Sequence, residues 1–203
     1  MILRILFFTV AFIIVSTGAA QNPLAIDLIE ARGSGCPEGS YSYAATSDGS
    51  VVSVLFSKFT AQASPQVDSR SKSNCNIILR LRLLQGYGVG IVNSDYRGFV
   101  SLIGPNASAQ FRSAWVLRDK GPKVAIGPVL EQNFTSPMSE EFFVRNPSPQ
   151  IQWLGCTDRQ ARLILQTEVM AVGRKGSEAM ISVDSSDMTA EMKFFLSFKP
   201  CGK

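Results

Sequence analysis

The chain has 203 residues, 18% of them charged, a formal net charge of +4 and no histidine. Without histidine there is no Ser-His-Asp or Cys-His catalytic arrangement, no His-ligated zinc and no side chain that titrates near neutrality in its ordinary state. The positive excess is mild and spread along the chain, without the dense Lys/Arg block that nucleic-acid binding requires.

The first twenty residues read as a secretory leader. Arg4 is their only charge, residues 5–15 form an apolar run relieved only by Thr9, and residues 16–20 are small. Gly18 and Ala20 stand where a signal peptidase excludes bulk, which places the cut after Ala20. An uncleaved anchor is the alternative, but the apolar run is shorter than the roughly 20 residues that span hydrocarbon. No cysteine follows closely, which argues against a lipoprotein anchor, and no later segment is long and apolar enough to cross a membrane. Cleavage leaves 183 residues from Gln21 to Lys203, the size of one domain, and lowers the formal charge to +3. The expected location is secreted, either extracellular or periplasmic.

From there the pattern is one of strands. Tyr41–Ala45 and Val51–Phe56 flank Asp48-Gly49, a tight-turn pair that predicts a hairpin. Residues 53–59 alternate loosely. Ile77, Leu79, Leu81 and Leu83 face one way and Arg80 and Arg82 the other, the period of a half-buried strand. Gly86, Gly88 and Gly90 read as a break, and Gly104-Pro105-Asn106 as a loop. Residues 110–117, with Phe111 and Trp115, read as a strand, and Lys120-Gly121-Pro122 as the next loop. Residues 128–149 contain Pro128, Pro137, Pro147 and Pro149 and read as a long surface loop, the kind of segment that carries binding. One helical turn fits residues 139–144. Leu163, Leu165, Thr167 and Val169 alternate with Arg162, Gln166 and Glu168. Residues 162–172 and 178–184 then read as a hairpin closed by the Arg174-Lys175-Gly176 turn. Another helical turn fits residues 185–191. Met192, Phe194, Leu196 and Phe198 form a last strand. The expected class is all-β: an antiparallel, jelly-roll-like β-sandwich, with a closed β-barrel as the alternative.

Four cysteines, Cys36, Cys75, Cys156 and Cys201, predict two disulfides in an oxidising compartment. No close-spaced pair offers a zinc site. Three connectivities are open. Pairing sequence neighbours, Cys36–Cys75 and Cys156–Cys201, is favoured, closing loops of about 40 to 45 residues, each worth roughly 4 kcal/mol.

Few residues suggest chemistry. Gly33-Ser34-Gly35-Cys36 lacks the lysine and spacing of a phosphate loop and reads as turns around a disulfide. Tyr41 and Tyr43 share one strand face. Tyr96-Arg97-Gly98 either sets an arginine against an aromatic ring or is a strand with a bulge at Gly98. Tyr41, Tyr43, Tyr96 and Arg97 are therefore the candidate ligand surface, while Trp115 and Trp153 read as core. Glu140 and Glu141 point to opposite faces of a strand, which spoils a paired-carboxylate site. Asp184 and Asp187 are too few for a closed calcium loop. No catalytic residue, metal or cofactor is expected. Asn106-Ala107-Ser108 and Asn133-Phe134-Thr135 match the N-glycosylation pattern, both in predicted loops.

Several segments carry a family resemblance. Residues 33–40 (Gly-Ser-Gly-Cys-Pro-Glu-Gly-Ser) resemble the opening signature of the small secreted proteins grouped as domain of unknown function 4360. Leu55-Phe56-Ser57-Lys58-Phe59-Thr60-Ala61, Asn74-Cys75-Asn76, Tyr96-Arg97-Gly98 and Trp153-Leu154-Gly155-Cys156 follow in a similar order. Thr157-Asp158-Arg159 stands where the family has a glycine-rich stretch. The resemblance implies secretion, disulfides and a β-rich domain, and no activity. The expected function is a secreted, non-catalytic protein that binds a cell-surface or matrix glycan or protein. A secreted carboxylate-dependent hydrolase is the alternative.

Overall fold

The computed structural model describes residues 24–120, 124–157, 159–183 and 191–202. The expected leader, the Asp184 and Asp187 cluster and residues 185–190 of the expected helical turn lie outside the described residues.

The described residues form thirteen strands: β1 (Leu24–Arg32), β2 (Tyr41–Ala45), β3 (Val51–Phe56), β4 (Thr60–Ala63), β5 (Ser69–Leu83), β6 (Tyr87–Ile103), β7 (Ser108–Asp119), β8 (Val124–Ile126), β9 (Leu130–Thr135), β10 (Met138–Pro147), β11 (Gln160–Gly173), β12 (Glu178–Ser182) and β13 (Met192–Pro200). They make two antiparallel sheets. The six-stranded sheet runs β1-β5-β11-β7-β8, with β9 also on β7. The seven-stranded sheet runs β2-β3-β13-β6-β12-β4, with β10 also on β6. Neither sheet closes on itself, so the architecture is the expected sandwich and not a barrel.

Alternation drives the packing. Ile77, Leu79, Leu81 and Leu83 of β5 are fully buried, as are Leu163, Leu165 and Val169 of β11 and Met192 and Phe194 of β13. Their polar neighbours take the outer faces. Between the sheets, Tyr96 and Phe111 rings lie 4.9 Å apart, and Phe142 stands 5.7 Å from Phe111 and 5.1 Å from Phe134. The buried Tyr96 hydroxyl donates to Ser94 Oγ at 2.9 Å and accepts from Ser113 Oγ of the opposite sheet. Burial pushes its pKa up, so this link between the sheets stays neutral.

The Tyr41–Ala45 and Val51–Phe56 hairpin forms in register. Asp48 fixes its turn: one carboxylate oxygen accepts from Thr46 Oγ1 at 2.6 Å, Ser50 Oγ at 2.8 Å and Ser50 N at 3.0 Å. These bonds, led by that from Thr46, lower the Asp48 pKa to about 2. Both disulfides have the favoured connectivity, Cys36–Cys75 and Cys156–Cys201.

Five expectations need correction. β11 and β12 are not a hairpin: β11 pairs with β5 and β7, whereas β12 pairs with β4 and β6. The Arg174–Gly176 turn therefore carries the chain from one sheet to the other. Residues 128–149 are not a long loop but largely the strands β9 and β10, and residues 139–144 are extended, not helical. Gly88 and Gly90 do not break the chain; they lie inside β6. Residues 151–156 pack there, with Val89 and Leu154 exchanging backbone bonds of 2.9 and 3.0 Å. A Cβ at Gly88 would sit 3.0 Å from Cys156 Sγ, and one at Gly90 would overlap Ile151, so glycine allows the close approach. Gly98 makes no bulge, because β6 runs through it in register with β10; the irregularity lies between Phe195 and Leu196, where β13 skips Val92 of β6.

Candidate functional site: the two outer faces

Tyr41, Tyr43, Tyr96 and Arg97 do not form one surface. Tyr41 and Tyr43 pair with the buried Phe56 and Val54, on the core side of the seven-stranded sheet. Tyr96 is on the same side and is fully buried. Tyr41 is half-buried, its hydroxyl accepting the Ala31 N–H at 3.3 Å. Tyr43 overhangs the sheet edge, 56% exposed. Arg97 follows Tyr96 and projects from the opposite face.

An arginine–aromatic contact does form at Arg97. Its guanidinium carbon lies 5.3 Å from the ring centroid of Phe143, an exposed residue of β10. The guanidinium of Arg145 lies 5.6 Å from the same ring. Arg145 donates to both Asp95 oxygens, Nε at 2.7 Å and Nη2 at 2.6 Å, and Asn93 adds a bond of 3.2 Å. These hydrogen bonds to the Asp95 carboxylate, and its charge, raise the Arg145 pKa. This patch thus neutralises much of its own charge, beside a hollow of about 220 Å³ at Arg97, Glu141 and Phe143.

The outer face of the six-stranded sheet is organised differently. Strand register places outward residues in rows across β5, β11 and β7. One row is Arg80, Arg162 and Arg118, each directly opposite the next. The adjoining row is aliphatic: Ile78, Ile164, Val116 and, on β8, Ile126. Beyond it come Asn76, Gln166 and Ala114, then Asn74, Glu168 and Arg112 with Glu131 of β9.

Like charges opposite one another in a sheet repel, so the arginine row opposes folding unless partners compensate. Arg80 has Glu30 at 3.3 Å. Among the described residues, Arg118 and Arg162 have no ion-pair partner. The row borders an open cavity of about 640 Å³ that Asp27, Asp119 and Lys120 also line. Asp27 is bound to Arg82 at 2.6 Å, while Asp119 Oδ1 is buried without a hydrogen-bond partner among the described residues. A second open cavity, of about 500 Å³, lies over Asn74, Asn76, Gln166, Glu168 and Arg112.

Residues 22–201 match the family described as Domain of unknown function (DUF4360). The chain belongs to that family. An "Uncharacterized secreted protein" of Arthroderma benhamiae is 28% identical over 88 residues, 42% of this chain and 36% of that protein. The chain thus spans about a third of that relative's length. A structure of TmCBM61 in complex with beta-1,4-galactotriose aligns over 85% of this chain and 90% of that one, at 13% identity and a TM-score of 0.25.

Within this DUF4360 chain the remaining sequence features resolve as structure. Ser34 and Asn74 interlock: Ser34 N donates to Asn74 Oδ1 at 3.2 Å and Asn74 N donates to Ser34 Oγ at 3.1 Å. The Gly33–Cys36 motif therefore braces the Cys36–Cys75 disulfide. Trp115 is buried in the core, whereas Trp153 is half-buried with Lys199 Nζ 4.6 Å from its ring. Asn106 sits in an exposed turn at φ 63°, but Asn133 lies in β9 and accepts from Gln110 at 2.9 Å. Arg118 and Arg162 escaped sequence reasoning. Each is an exposed charge on an alternating strand, and only strand register brings them together.

Proposed function

We propose that the chain is a secreted, non-catalytic binding module that holds a glycan across the outer face of its six-stranded sheet. Two disulfides and the name of the Arthroderma relative support secretion. The observation that carries the site is the row order. Aliphatic side chains lie between an arginine row and an amide row, over two open cavities. The half-buried Ile78, Ile164 and Val116 suit the C–H face of a sugar ring. Asn76 and Gln166 offer both donors and acceptors to hydroxyls.

Carboxylate-dependent hydrolysis is the second reading, because Asp27 and Asp119 line one cavity. Arg82 already holds Asp27, which leaves one uncommitted carboxylate where two are needed.

The test is a pull-down of purified protein on insoluble matrix and cell-wall polysaccharides. The Asn76→Ala/Gln166→Ala variant should lose at least fivefold in retention, while Arg97→Ala retains wild-type binding. Loss only with Arg97→Ala would move the site to the other sheet. Release of reducing sugar that Asp119→Asn abolishes would favour hydrolysis.

A further inference from the structure

We infer that the ligand of this face is an acidic polysaccharide whose carboxylates are read by the Arg80, Arg162 and Arg118 row. This rests on the glycan reading above and names the class. Neighbouring strands are about 4.8 Å apart, so the three arginines spring from a line of Cα positions roughly 10 Å long across the strands. Arg118 and Arg162 make no ion pair among the described residues. Guanidinium forks match planar carboxylates in two-point hydrogen bonds. A linear polymer with carboxylates at regular intervals fits such a line.

The neighbouring rows favour a sugar chain over the other anionic surfaces. Ile78, Ile164 and Val116 are half-buried, and the exposed Ile126 stands at the β8 end of their row. This apolar strip is one row wide and flanked on both sides by charged and amide side chains that a lipid bilayer would have to desolvate. The Asn76 and Gln166 amides are suited to hydroxyls, which acidic peptides largely lack. Asp27 and Asp119 also line the cavity beside the row and disfavour a close-packed polyanion relative to one whose carboxylates are separated by sugar rings.

The experiment is calorimetric titration of the purified, disulfide-intact chain with polygalacturonate, fully methyl-esterified polygalacturonate, poly-glutamate and phosphatidylserine vesicles. Polygalacturonate should bind, and its affinity should fall at least tenfold between 0.05 and 0.5 M salt, roughly 1.4 kcal/mol. The Arg118→Gln/Arg162→Gln variant should lose at least tenfold while its melting temperature stays level or rises. The methyl ester should bind wild type no better than polygalacturonate binds that variant. Equal binding of the acid and its ester, unaffected by the double variant, would overturn the acidic class and leave the glycan site standing. Tighter binding of poly-glutamate or vesicles would overturn it in favour of those anions. No binding of either galacturonan form would overturn the acidic class, whereas the glycan reading itself falls only if the polysaccharide pull-down fails too.

Discussion

The two outer faces of the sandwich handle their arginines in opposite ways. On the seven-stranded sheet, Arg145 is clamped by Asp95 through two bonds and stacked near Phe143. On the six-stranded sheet, Arg162 stands between two other arginines, and no anion among the described residues answers it. One arrangement settles charge within the fold. The other leaves it unsettled, which is expected where a protein holds stability in reserve for a ligand. The faces differ in cover as well: residues 151–156 pack along β6 at Gly88 and Gly90 and are pinned by Cys156–Cys201. The arginine row opens onto a cavity.

Breaking the cover is the largest perturbation. Cys156→Ser/Cys201→Ser should cost about 4 kcal/mol in chemical denaturation, from the loop it frees. Trp153 fluorescence should report the release of residues 151–156, with no loss of ligand binding. Smaller effects should follow at the arginines, with opposite signs on the two faces. Asp95→Asn should destabilise by about 1 kcal/mol, because Asp95 is largely buried and Arg145 loses a charged partner. Arg162→Gln should leave stability unchanged or raise it by about 0.5 kcal/mol, since it relieves two like-charge contacts. If Arg162→Gln proves as harmful as Asp95→Asn, the contrast between the faces fails.

The smallest effect lies on neither face and serves as a reference. Asp48 has a folded pKa near 2, below the ordinary value of 3.8. Its lowered pKa adds stability that is present at neutral pH, above the unfolded value. That part is lost as the pH falls through the folded value. The stability gap between wild type and Asp48→Asn should therefore narrow between pH 5 and pH 2, followed by thermal melts. A gap that widens on acidification would contradict the turn geometry.

Much of the scaffold was legible from local pattern. The Ile77–Leu83 alternation, the Asp48-Gly49 hairpin and the pairing of neighbouring cysteines all follow from contacts set by a few residues or by simple loop closure. The proline-bearing segment 128–149 is extended despite its loop-like composition because its prolines fall at strand ends. Pro128 precedes β9, Pro137 lies in the turn before β10, and Pro147 ends β10. Both strands pair on one side only among the described residues, so few ladder donors are lost. The false hairpin at residues 174–176 has another cause. Alternation shows that a strand has two faces but not which sheet it joins. The arginine row needed the same missing information. Arg80, Arg118 and Arg162 come from three separated strands, and a shift of one residue would turn any of them inward. Tyr96 shows the reverse error, an aromatic with a polar tip whose partners, Ser94 and Ser113, lie inside the core.

The central claim is that the open, charge-unsettled face of the six-stranded sheet holds the ligand. Backbone amide chemical-shift mapping of the disulfide-intact chain, titrated with soluble polygalacturonate oligomers, tests it most directly. The account predicts perturbations centred on residues 76–82, 114–118 and 162–166, with Arg97, Phe143 and Arg145 unmoved. Perturbations centred on Arg97 and Phe143 and absent from those three segments would contradict it.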